Sequence, residues 1–169
     1  MKKTFILLLI LVVLLAACAP TPFPVADPDV SQNGIEIYQA RIPVPAGLAT
    51  PDSMNMDNMD NMDMQMDFNL AAFMVIKNTS ATDDRLLSAS VDFADASIHE
   101  TRSEGDVMKM VEVEGIDIPA GQTVELRSGS FHIMLMNPMM APKVGDTVNL
   151  TLEFEKAGTV IVPAKAVEQ

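Results

Sequence analysis

Ser130-Phe131-His132-Ile133-Met134-Leu135-Met136-Asn137 alternates between two kinds of side chain, residue by residue. Side chains along an extended strand point to opposite faces in turn. Phe131, Ile133 and Leu135 therefore share one face, and His132, Met134 and Met136 share the other. The first set suits a core. The second sets an imidazole beside a thioether on the opposite face, and the stretch predicts a strand.

Outward from this stretch the same grammar repeats. Runs rich in Val, Ile, Leu and Phe, bounded by Gly, Pro, Asn and Asp, predict strands at Ile35–Arg41, Leu70–Asn78, Leu86–Phe93, Ala96–Thr101, Val107–Val113, Thr123–Arg127, Ser130–Asn137, Thr147–Phe154 and Thr159–Val162. Turn chemistry falls at Glu104-Gly105-Asp106, Pro119-Ala120-Gly121, Ser128-Gly129 and Val144-Gly145-Asp146. No segment carries a long capped apolar stripe of period 3.6. The fold class is all-β, and many short strands at this spacing point to a sandwich or Greek-key barrel.

The N-terminus reads as an export signal rather than as part of that fold. Lys2 and Lys3 precede an unbroken apolar run from Phe5 to Ala17. The run is shorter than the about 20 residues a membrane span needs and fits a signal peptide over residues 1–17. Leu15-Ala16-Ala17-Cys18 resembles the bacterial lipoprotein box, in which the cysteine is lipidated and the signal is cut before it. Cys18 is the only cysteine of the chain. A multiply acylated terminus holds a protein stably on a membrane, so the expected location is extracytoplasmic, lipid-anchored to the cell membrane or in the periplasm. Residues 18–32, with Pro20, Pro22, Pro24 and Pro28, read as a tether, and residues 33–165 as one folded domain.

Composition narrows the function. Removing residues 1–17 leaves nine basic against 23 acidic residues, a formal charge of −14 in place of −12. Nucleic acid, whose phosphates need Lys and Arg, is excluded as a partner. With Cys18 lipidated, no thiol remains for a disulfide, a nucleophile or a blue-copper centre. A hydrolytic triad has only His99 and His132 to draw on. The expectation is a protein that is not an enzyme.

Four donors stand out: His99, Met110, His132 and Met134. Uncharged, polarizable thioethers combined with imidazole select Cu(I) over Zn(II), Mg(II) or Ca(II), which prefer thiolate or oxygen. His132 and Met134 lie side by side on one strand face. In Val107–Val113, Met108 and Met110 point away from Val107, Lys109, Val111 and Val113, while His99 follows the apolar Ile98 near a strand end. The four converge if these segments are neighbours. Met108, Met136, Met139 and Met140 read as packing or rim residues.

A second donor-rich segment interrupts the strand pattern. Residues 52–67 contain Met54, Met56, Met59, Met62, Met64 and Met66 among five aspartates, with nothing β-branched or aromatic to bury. The segment reads as a loop and as a secondary Cu(I) collector, the alternative being a solvated linker.

The spacing His, ten residues, Met, twenty-one residues, His, one residue, Met resembles the motif of the periplasmic copper chaperone family PCu(A)C without a gap. Ala71-Ala72-Phe73-Met74-Val75-Ile76-Lys77-Asn78, Asp84-Arg85-Leu86-Leu87, Ile118-Pro119-Ala120-Gly121 and Phe154-Glu155-Lys156-Ala157-Gly158 are similar to the family as well. Two positions depart from it. Glu100 stands where many members carry a methionine, and Ser128-Gly129-Ser130 replaces a common Pro-Gly-Gly. The resemblance implies a cupredoxin-like β-barrel binding Cu(I) at an exposed rim, with Cu(II) binding left open. It also implies a monomer that delivers copper to the copper-bearing subunit of apo cytochrome c oxidase or to another copper chaperone. The alternative is a protein that stores or buffers copper.

Overall fold

The computed structural model describes residues 27–45, 68–105 and 107–169. The signal peptide, Cys18 and the Met/Asp-rich segment 52–67 lie outside the described residues. Within them the chain is all-β, as the alternation predicts, and cupredoxin-like. Its strands are β1 Val30–Gln32, β2 Ile35–Val44, β3 Leu70–Asn78, β4 Asp84–Ser90, β5 Asp95–Glu104, β6 Val107–Glu112, β7 Ile116–Ile118, β8 Thr123–Leu126, β9 Phe131–Met136, β10 Thr147–Phe154 and β11 Gly158–Glu168.

The strands hydrogen-bond in the order β6-β5-β9-β3-β2-β11-β10-β4-β7, with β1 beside β2 and β8 beside β3. Every pairing is antiparallel except β11 with β2. β3 is the branch point. Its first half, Leu70–Ala72, pairs with β9, and its second half, Met74–Lys77, pairs with β8. The inward faces enclose one core that joins Ile98 and Ile133 of β5 and β9 to Leu86, Leu150, Leu152, Val160 and Val162 of β4, β10 and β11.

Burial follows the period of two along β3, β10 and β11. In β3, Leu70, Ala72, Met74 and Ile76 are buried, and the residues between them are half-exposed. Asp84 is the buried acid at the start of β4. It accepts backbone N–H bonds from Arg85 and Lys156 on one carboxylate oxygen and from Ala157 on the other, tying the β10–β11 turn to β4.

Several expected boundaries move. Val30–Gln32, assigned to the tether, forms β1, because Asn33 and Gly34 both take positive φ (50° and 83°) and close a tight hairpin onto β2. Ile116–Ile118 adds a strand that was not expected. The last strand continues past Val162 and residue 165 to Glu168, where Lys165–Glu168 lies parallel to Arg41–Val44. β4 begins at Asp84 and ends at Ser90, two residues earlier and three residues shorter at its far end than Leu86–Phe93.

Candidate metal centre

The outer face of β6, β5 and β9 is where the four predicted donors lie. Residues directly opposite one another on antiparallel neighbours share a face. His99 of β5 is opposite His132 of β9, Ser97 is opposite Met134, and Thr101 is opposite Met110 of β6. All four donors thus face one side of three adjacent strands. The two imidazole centroids are 5.9 Å apart, with the rings inclined at 40°.

The four donors differ in accessibility. His132 is buried, His99 and Met134 are half-buried, and Met110 is 59% exposed on the edge strand. His99 sits in the middle of β5 rather than near a strand end, since that strand extends to Glu104. The face of Val107, Lys109, Val111 and Val113 is covered only at its far end, where Val111 is half-buried and Val113 packs against the core. Val107 is 57% exposed on β6, which among the described strands bonds only to β5. Met108 is also exposed, in keeping with a rim position.

A cleft of about 400 Å³ opens over this face, with Phe73, Met110, His132 and Met134 in its lining. Pro45 and Asn69, from the two sides of residues 46–67, line it too. The floor turns on a short loop before β9, in which Ser130 N–H bonds to Arg127 O and Gly129 takes a φ of 77°. A Cβ-bearing residue there is strained, so the glycine of the Ser128-Gly129-Ser130 departure keeps the turn available.

The wall beside His132 is aromatic. The Phe73 ring lies 6.4 Å from the His132 ring, and the Arg41 guanidinium stands 5.7 Å from the Phe73 centroid on its own side. A break in the β2–β3 register between Tyr38 and Arg41, with Gln39 at φ 54°, sets Arg41 opposite Phe73. Sequence reading missed Arg41, since a bulge has no signature in the apolar pattern. Phe73 was visible only as part of a stretch resembling the family.

Hydrogen bonding leaves ring nitrogens available for a metal. His132 Nδ1 lies 3.1 Å from the carbonyl oxygen of Ser130, and His99 Nε2 lies 2.9 Å from Ser97 Oγ. His99 Nδ1 is buried with no hydrogen-bond partner among the described residues. A buried polar atom left so is exceptional. No group of three or more His, Cys, Asp or Glu side chains that could hold a metal forms among the described residues. Any ion held at this face therefore depends on the thioethers, which favour a soft cation.

With this geometry in place, comparison with known proteins settles the lineage. The family described as "Putative lipoprotein LpqE-like" matches residues 36–166. The chain belongs to the LpqE-like family. A curated relative from Leifsonia xyli subsp. xyli, "Putative lipoprotein Lxx21020", is 35% identical over 99 residues, or 56% of this chain. The match spans 60% of that relative's length. Among solved structures, the copper-bound PCuAC domain of PmoF2 superposes with a TM-score of 0.61 at 21% identity, covering 83% of this chain and 97% of that domain. The Cu(I) form of DR1885 from Deinococcus radiodurans gives 0.55 at 24% identity, covering 85% and 83%. These likenesses establish a PCuAC-like fold for this LpqE-like protein.

Proposed function

We propose that this protein is an extracytoplasmic, lipid-anchored copper carrier that holds one Cu(I) among His99, Met110, His132 and Met134. The observation that carries the reading is the placement of all four donors on one face of three neighbouring strands, with His99 and His132 directly opposite. Lipoprotein relatives and copper-bound structural neighbours support it. Its recipient is the copper-bearing subunit of apo cytochrome c oxidase or another copper chaperone.

The donor chemistry suits carriage rather than catalysis. Imidazole and thioether are neutral, so they hold Cu(I) without the charge attraction of thiolates. Thioethers stay unprotonated at any working pH, while a histidine binds only in its neutral form. Met110, on the exposed edge strand, is the donor an incoming ligand reaches first, and exchange there passes the ion on without opening the core. Storage is the second reading, and the acidic Met-rich segment 52–67 favours it. That segment is joined to two cleft-lining regions, so we assign it the role of a weaker collector feeding the rim.

Anaerobic Cu(I) titration with X-ray absorption on the soluble chain lacking residues 1–18 tests the assignment. Mixed nitrogen and sulfur scattering at one tight site is expected. Met110→Ile with Met134→Ile weakens that site by at least the roughly 10–100-fold seen for loss of supporting groups around a metal. Unchanged affinity in the double variant refutes the site. Deleting residues 52–67 removes a second, weaker equivalent of copper and leaves the tight one. Equal stoichiometry in the two proteins reduces the segment to a spacer.

A further inference from the structure

We infer that the two histidines present opposite ring nitrogens to the metal, His132 through Nε2 and His99 through Nδ1, and that Ser97 is the positioning residue that makes them differ. This rests on the reading above that both histidines are ligands.

For His132 a single contact decides the tautomer. Its Nδ1 lies 3.1 Å from Ser130 O, and a carbonyl oxygen only accepts, so Nδ1 carries the proton. A neutral imidazole has one N–H. Nε2 therefore bears the lone pair, and the backbone bond both orients the ring and fixes that tautomer, as partners around metal-binding histidines do.

His99 is held the other way round. Its Nε2 lies 2.9 Å from Ser97 Oγ, and its Nδ1 is buried without a partner among the described residues. A hydroxyl can donate or accept, so two tautomers are open. If Ser97 donates, the proton sits on Nδ1 and a buried N–H donor has nothing to bond. If Ser97 accepts, the proton sits on Nε2 and Nδ1 keeps a bare lone pair with no donor to it among the described residues. Unpaired buried donors are the rarer and costlier of the two. The second tautomer also presents a ready ligand, and a soft cation removes the remaining deficit.

The consequence follows from imidazole itself. Nδ1 is two bonds from Cβ and Nε2 is three, so the two histidines reach to different depths although their Cα atoms are paired across the strands. Ser97 lies on the same face, opposite Met134. Its oxygen is a hard donor that Cu(I) does not favour, which leaves it free to hold the ring. One histidine is set by a backbone carbonyl that no substitution removes, and the other by a hydroxyl that a single substitution deletes.

Long-range proton–nitrogen correlation spectra of the soluble chain, ¹⁵N-labelled at histidine, test this in the apo and Cu(I)-loaded states at a pH where imidazole is neutral. The apo spectrum is expected to show His132 protonated at Nδ1 and His99 at Nε2. On loading, the lone-pair shifts of His132 Nε2 and His99 Nδ1 move, and the other nitrogens stay protonated. Ser97→Ala gives His99 a mixed tautomer and costs roughly tenfold in Cu(I) affinity. Ser97→Thr, which keeps the hydroxyl, restores both, and His132 is unaffected throughout. A Cu(I)-induced shift at His99 Nε2, or an apo His99 protonated at Nδ1, overturns the inference while leaving the ligand set intact. Stoichiometric Cu(I) binding with neither histidine responding overturns the inference together with the ligand assignment beneath it.

Discussion

The β10–β11 hairpin and the β5–β6 hairpin are both antiparallel ladders, yet they sit in opposite environments. In β10 and β11, Leu150, Leu152, Val160, Val162 and Ala164 are fully buried, and their partners along each strand face outward. In β6, Val107, Met108 and Met110 are each more than half exposed, and no residue of that strand is buried. The first hairpin lies between β4 and β2, whereas β6 is an edge strand. Burial is concentrated in the first hairpin, while the second carries two of the candidate donors, His99 and Met110. Apolar sequence at the edge cannot be explained by the core, which is why methionine there points to a soft ligand surface. Ion pairs such as Arg102–Glu100 on β5 are exposed and add little stability.

The sharpest way to break this division is to damage each side and measure both properties. Leu152→Ala opens a cavity in the fully buried interior and is expected to lower the unfolding free energy by about 2–5 kcal/mol in urea titration. The folded fraction should still bind Cu(I) with unchanged affinity. Met110→Ile is the mirror case. At an exposed edge position it should shift stability by no more than about 0.5 kcal/mol while weakening Cu(I) binding. A Leu152→Ala protein that lost the site along with its stability, or a Met110→Ile protein that unfolded readily, would show the rim and the body to be one cooperative unit.

How far the sequence foretold this division depends on burial. In Phe131–Met136 the alternation placed Ile133 and Leu135 in the core and His132 and Met134 on the other face, and the structure agrees. The meeting of three segments at one face was a conditional expectation, since pairing between strands far apart in sequence leaves no trace in either strand. The β5–β9 register supplies it by setting His99 against His132. The exposure of Val107 at the start of β6 was hidden for the same reason, because an edge strand is defined by what lies beside it. The Asn33-Gly34 turn stands at the start of the expected domain, and the strand it closes, Val30–Gln32, falls on its far side within the expected tether 18–32. Ser97 was not legible at all. A serine two residues before a histidine is ordinary until the rotamer of that histidine is known.

The smallest expected effect lies on the outer face of the body, away from the cleft, and sharpens the comparison through pH. Tyr38 donates to Glu36 at 2.7 Å, and the Lys77 ammonium approaches the same carboxylate oxygen at 3.1 Å. The Tyr38 hydrogen bond first, then Lys77, holds the Glu36 carboxyl below its ordinary value of 4.5. The same bond to Glu36 raises the Tyr38 phenol above 10.0. The signs are opposite. A depressed carboxyl contributes stability above its unfolded value, and that contribution is lost as pH falls through the folded one. A raised phenol contributes below its unfolded value and loses the contribution as pH climbs past the folded one. The stability gap between wild type and Tyr38→Phe should therefore be level between pH 4.5 and 10, and should shrink on either side. Urea midpoints of the two proteins across that range read it directly. Copper affinity at neutral pH should be the same in both, since neither Glu36, Tyr38 nor Lys77 lines the cleft. A gap that stayed constant into acid and base would mean that Tyr38 acts by packing alone, and a change in copper affinity would tie the body to the rim after all.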